Sequence, residues 1–145
     1  MAAVSRADAN WEGDLIHGGG RVRPASGAFA ELPVTWARRA ERSEGFTSPE
    51  ELLAAAHAAC FSMAFSNGLG KAGHEDIRLK TSSQVEFVPG TGVTTVTLTV
   101  RGGAKGISEA DFVKLATEAK DGCPISKVMH GNVELKLDAA LGEPA

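Results

Sequence analysis

The chain has two thiols, Cys60 and Cys123, and they stand in unlike surroundings. Cys60 lies in an apolar run, His57-Ala58-Ala59-Cys60-Phe61-Ser62-Met63, where a free cysteine serves equally well as a small core residue. A thiol placed there needs a cation to become reactive: burial raises its pKa, and a mid-helix position gains nothing from the helix N-terminus. The nearest candidates are Arg38, Arg39 and Arg42 in the charged segment upstream, for which plain surface solvation is the competing reading. Cys123 falls in a Gly-Cys-Pro turn, where the free N–H groups of a helix start favour a thiolate. It reads either as an accessible, mobile thiol that resolves an oxidised partner or as a turn cysteine without consequence.

The four histidines, His17, His57, His74 and His130, share no metal-ligand spacing with the cysteines, so no metal site is expected. His57 precedes Cys60 by three residues. Side chains so spaced on a helix point the same way, a poor geometry for a base and its nucleophile, and a core or interface histidine is the better reading. Gly18-Gly19-Gly20 is not a phosphate loop, since neither Lys-Ser/Thr nor a helix follows it.

The elements that must position the thiols follow from local signals. Short alternations from Asn10 to Val34, broken at Gly18–Gly20 and Ser26-Gly27, predict three strands in an antiparallel meander within about residues 1–36. Residues 37–47 are charged without a clear period and read as an exposed loop. Ser48-Pro49-Glu50-Glu51 is a helix start, with Ser48 as N-cap, proline at the first helical position and Glu51 completing a capping box. The helix is expected over about 49–70, roughly 30 Å long. Apolar residues wrap it all the way round, the mark of a helix covered on every side. One chain of this length, with a radius of gyration of about 15 Å, is too small to do that alone, so a second subunit is expected to cover it. Pro89-Gly90-Thr91-Gly92 separates two strand-like segments as a hairpin turn; Ser108 and Asp111 cap a second helix; Pro124 opens a short one with Cys123 near its N-cap; and Val133–Leu137 alternates as a last strand.

Composition agrees with one globular domain over residues 1–145, the hairpin and C-terminal helices falling at about 76–138. A hydrophobic fraction of 43% against 23% charged is that of an ordinary globular protein, and a net charge of -3 excludes an evident electrostatic pull toward nucleic acid or an anionic membrane. No run of about 18 uninterrupted apolar residues and no basic-then-apolar leader occurs, so a soluble cytoplasmic protein is expected. In a reducing compartment a disulfide between the cysteines would be transient rather than structural.

Thr47-Ser48-Pro49-Glu50-Glu51-Leu52-Leu53-Ala54-Ala55-Ala56-His57-Ala58-Ala59-Cys60-Phe61-Ser62-Met63-Ala64 closely resembles the signature helix of the OsmC/Ohr family of organic hydroperoxide reductases. Ala119-Lys120-Asp121-Gly122-Cys123-Pro124-Ile125-Ser126-Lys127-Val128 resembles the block holding that family's other cysteine, and Asn10-Trp11-Glu12-Gly13 resembles the OsmC branch. The resemblance implies an α+β, OsmC-like fold, with antiparallel sheets around a long central helix in an intertwined homodimer. It implies that Cys60 attacks an organic hydroperoxide, that Cys123 resolves the sulfenic acid to a disulfide, and that an external dithiol rather than a bound cofactor restores both thiols. The family's arginine corresponds to Arg39, followed here by Ala40-Glu41 where the OsmC pattern has Phe-Glu. Arg38 adjoins it, and Gly19-Gly20-Arg21 offers the place used in the Ohr branch. The family's glutamate corresponds to Glu50, which the capping role of Glu51 leaves free to hold an arginine. Phe46, Phe61, Met63 and Phe65 are candidate apolar walls for the substrate. Two other readings stand beside this one: a redox-sensing disulfide switch, and a non-catalytic stress-induced ligand-binding dimer.

Overall fold

Glycine marks the tightest approach in the N-terminal strands. A Cβ at Gly20 would lie 2.3 Å from the carbonyl oxygen of Asn10, so only glycine lets these two strands pair as they do. The structure is a computed structural model describing residues 1–41 and 45–143; Arg42 lies outside the described residues. The chain divides into two compact units, Met1–Leu52 and Leu53–Ala145.

In the first unit, β1 (Ala7–Glu12), β2 (Gly19–Pro24) and β3 (Leu32–Val34) form the expected antiparallel meander, in register Asn10↔Arg21 and Gly20↔Val34. Part of the expected 37–47 loop is helical instead: α1 spans Trp36–Ala40, capped by Thr35, whose Oγ1 accepts from the Arg38 N–H at 3.3 Å. The cap supplies the start that the charged composition concealed.

The long helix α2 (Pro49–Lys71) begins in this unit and runs through the start of the next. Ser48 caps it, its Oγ accepting from the Glu51 N–H at 3.1 Å. It stops at a Schellman turn: Gly73 has φ +87°, its N–H reaches the Gly70 carbonyl, and the His74 N–H reaches Leu69, each at 3.0 Å.

In the second unit, β4 (Arg78–Val88) and β5 (Gly92–Gly103) form the hairpin about Pro89–Thr91, closed by Thr91 N–H to the Val88 carbonyl at 2.9 Å. Then follow α3 (Glu109–Gly122), α4 (Pro124–Met129) and β6 (Glu134–Leu141), longer than the expected last strand. Strand order is β4-β5-β6; β4 and β5 are antiparallel as expected, whereas β6 runs parallel to β5. Parallel pairing needs a crossover, and α3 with α4 provides it. The main core joins Phe61, Phe65 and Leu69 of α2 with Leu98 and Val100 of β5 and with Phe112, Ala116 and Cys123. Phe112 meets Phe65 edge-on at 4.9 Å between ring centroids.

By length and composition α2 could also cross a membrane, with a mean hydropathy of 1.3 over an 18-residue window, a property that core helices share. One face is sealed in the core; the other leaves Ala55, Ala56, Ala59 and Met63 exposed, Met63 to 73%.

Candidate functional site

Cys123 ends α3 and caps α4 at once, with φ −61° and ψ 126°. That reversal turns its thiol inward, to 0% exposure within the main core, and against the thiol of Cys60. Both cysteines are free, and Cys60 is the less buried. The expectation of an accessible, mobile Cys123 is therefore corrected: its turn looks exposed in sequence, but the packing of α3 and α4 carries the side chain into the core.

The helix start acts on the other sulfur. Pro124 has no N–H to give, so Ile125 is the first residue of α4 with a free donor, and that N–H is directed to Cys60. Burial pushes the Cys60 thiol above its ordinary value, the adjoining Cys123 thiol adds to this, and the Ile125 N–H pulls the other way. The net direction is upward.

His57 is wholly buried, which agrees with the reading of a core histidine. Its Nε2 lies 2.7 Å from Ser126 Oγ, and its Nδ1 lies 3.5 Å from Ser83 Oγ. Burial lowers its pKa and favours the neutral ring. One turn further along α2, Ser62 Oγ is 2.8 Å from both the Ala58 carbonyl and Thr81 Oγ1. Ser83 and Ser126 were not singled out in the sequence; a histidine on an otherwise apolar helix was the signal that buried hydroxyl partners must exist.

In the first unit Arg39 and Glu50 meet. Arg39 Nε and Nη2 donate to Glu50 Oε1 at 2.9 and 2.8 Å, with Glu50 only 6% exposed. The inferred freedom of Glu50 to hold an arginine is thus met by geometry. Of the three other candidate arginines, Arg42 lies outside the described residues, Arg38 stacks over Phe46 at 4.4 Å, and Arg21 faces Glu31 at 3.4 Å on the surface. Phe61 and Phe65, considered as substrate walls, are fully enclosed in the core instead, leaving Phe46 and Met63 exposed. Among the described residues no three His, Cys, Asp or Glu side chains gather as a metal site.

The fold is α+β, and it sets a helix-borne thiol against a second, buried thiol, the arrangement of a two-cysteine thiol protein. The sequence model of the OsmC-like protein family matches residues 42–138. The chain is 37% identical over 138 residues to Peroxiredoxin OsmC of Escherichia coli, covering 93% of this chain and 96% of the relative. It is 30% identical over 106 residues to the organic hydroperoxide resistance protein OhrA of Bacillus subtilis, covering 70% and 73%. The crystal structure of the Bacillus subtilis organic hydroperoxide resistance protein OhrB superposes with a TM-score of 0.71 at 26% identity, over 94% of this chain and 98% of that one. An OsmC structure from Legionella pneumophila gives 0.69 at 26% identity, over 98% and 100%. The chain belongs to the OsmC-like protein family.

Proposed function

We propose that this chain is a thiol-dependent peroxidase that reduces organic hydroperoxides to alcohols. The observation that carries the reading is the contact of the Cys60 and Cys123 thiols, with Cys60 the more accessible. It is supported by relatives named as a peroxiredoxin and as organic hydroperoxide resistance proteins. The Cys60 thiolate attacks the peroxide, whose O–O bond breaks; the alkoxide takes a proton and leaves as the alcohol, and Cys60 becomes a sulfenic acid. Cys123 displaces the sulfenic oxygen as water and forms the disulfide. An external dithiol reduces it and is itself oxidised to a disulfide.

Arg39, oriented by Glu50, supplies the cation that lowers the Cys60 pKa. A homodimer is favoured by the exposed Ala55, Ala56, Ala59 and Met63 of α2, whose short side chains permit close approach of a second such helix. The cytoplasm, a reducing compartment, suits two cysteines that must return to thiols after each turnover.

The test is steady turnover with dithiothreitol as donor, comparing cumene hydroperoxide with hydrogen peroxide. The organic substrate should be preferred, and Cys60→Ser should abolish turnover of both. Substantial activity in that variant, or a wild-type chain that forms one disulfide but never turns over, would overturn the proposal; the second result would mark a redox switch.

A further inference from the structure

His57 and Ser126 join the same two elements that carry the thiols. His57 lies three residues before Cys60 on α2, and Ser126 three residues after Cys123, in the first turn of α4. The contacts Cys60 to Cys123 and His57 to Ser126 therefore run in opposite senses along the two elements, one helical turn apart, like two rungs between antiparallel rails.

The second rung is well placed to govern the first. A disulfide tolerates little error, needing an S–S distance of about 2.05 Å and a Cβ–Cβ distance of about 3.5–4.5 Å. Helix α4 has six residues, and Ser126 and Met129 are its buried ones. The Met129 contact is apolar and insensitive to direction, whereas the 2.7 Å contact from Ser126 to His57 is restricted in distance and angle. Its two residues are 0% and 1% exposed, so bulk water cannot replace a lost partner. Ser83, on the other side of the ring, limits how far the imidazole can rotate away.

We propose that His57 and Ser126 are positioning residues for closure of the Cys60–Cys123 disulfide, holding the first turn of α4 in the register that sets one sulfur against the other. This rests on the Cys60–Cys123 disulfide of the proposed function, but not on peroxide as the oxidant. In closure the sulfenic S–O bond of Cys60 breaks, the S–S bond forms, and the hydroxide leaves as water with the Cys123 proton. The tie reduces the freedom that Cys123 must otherwise lose on the way.

The full-length chain is equilibrated without peroxide in mixtures of reduced and oxidised glutathione, and the disulfide fraction is read by thiol alkylation and mass. Two electrons then pass from the cysteines to glutathione disulfide, which becomes two thiols. Ser126→Ala and His57→Leu should lower the equilibrium constant for closure about tenfold, equivalent to about 30 mV for a two-electron couple. His57→Gln, whose amide reaches about as far as Nε2, should stay within about threefold of wild type. Wild-type constants in Ser126→Ala refute the tie, as does an equal loss in His57→Gln and His57→Leu, which would mark packing alone. Should His57→Leu not fold, Ser126→Ala, which removes a single oxygen, decides the matter. A chain that closes normally but does not turn over peroxide would refute the peroxidase and leave the tie standing; unshifted constants in a working peroxidase would do the reverse.

Discussion

Arg39 grips Glu50 through one oxygen: Nε and Nη2 both donate to Oε1, while Oε2 is buried without a hydrogen-bond partner among the described residues. The guanidinium is thereby fixed in direction by two donors on one rigid fork. Lysine offers a single ammonium and cannot reproduce that grip. Arg39→Lys should therefore lower turnover tenfold or more, by about the 1.5–3 kcal/mol typical of a charge-assisted hydrogen bond, although the positive charge is kept. Retention of more than half the wild-type rate would remove the Arg39–Glu50 pair from the mechanism. The measurement is kcat/KM for cumene hydroperoxide at neutral pH.

Cys123→Ser tests resolution separately from attack. The variant should consume about one equivalent of hydroperoxide per chain and then slow or stall, with a sulfenic acid on Cys60 that a dimedone-type probe labels. Because Cys123 is fully buried among Phe61, Ala119 and other apolar side chains, the serine hydroxyl should also cost about 1–3 kcal/mol of stability, seen as a lower denaturation midpoint. Steady turnover equal to wild type would show that Cys123 resolves nothing.

What the sequence could disclose was whatever is encoded locally. Ser48 with Glu51 and Ser108 with Asp111 identify two helix starts, and each cap contact is present at 3.1 Å, because capping is decided within four residues. The Pro89–Gly92 turn is equally self-contained. The parallel direction of β6 is not, since it depends on how α3 and α4 carry the chain back over the sheet. Nor is the burial of Cys123, whose Gly-Cys-Pro context has the composition of an exposed turn while its side-chain direction is set by core packing. The residues alone offered Cys60, Cys123 and several arginines as candidates, and capping left Glu50 free to hold one of them; it took the family pattern to join the thiols as a pair and to prefer Arg39. The His57–Ser126 contact spans 69 positions and left no trace beyond a polar residue on an apolar helix.

Buried His57 also makes acid stability a test of the fold. Burial holds its pKa below the ordinary 6.5, so the folded state favours the neutral ring. The stability this contributes is fully present above the unfolded value and is lost as pH falls below it and through the depressed folded value. Wild-type stability should thus fall on going from pH 7 to pH 5 more steeply than that of His57→Gln, which has no proton to take up there. The limit for one group is about 1.4 kcal/mol per pH unit. Urea midpoints at the two pH values measure it; parallel losses in the two proteins would show that His57 does not titrate differently on folding.

The last prediction follows from the length of α2. Glu50 and Cys60 lie on one unbroken helix, and ten residues at about 1.5 Å each separate them by roughly 15 Å along its axis. Glu50 holds Arg39 at the helix start, whereas the proposed function asks Arg39 to serve the thiolate of Cys60. A regular helix cannot bring its own residue 50 and residue 60 to one guanidinium. Crossing of two such helices in a homodimer can, if Arg39 and Glu50 of one protomer face Cys60 of its partner. A heterodimer of a Glu50→Ala protomer with a Cys60→Ser protomer separates the possibilities. With shared sites, one site is intact and the other doubly damaged, so about half the wild-type activity per dimer should remain. With sites confined to single protomers, each carries one lesion and activity should be near zero. The parent homodimers, which should both be impaired, supply the baseline, and size-exclusion chromatography confirms that both variants dimerise. Activity near zero in a properly assembled heterodimer would sink the shared site.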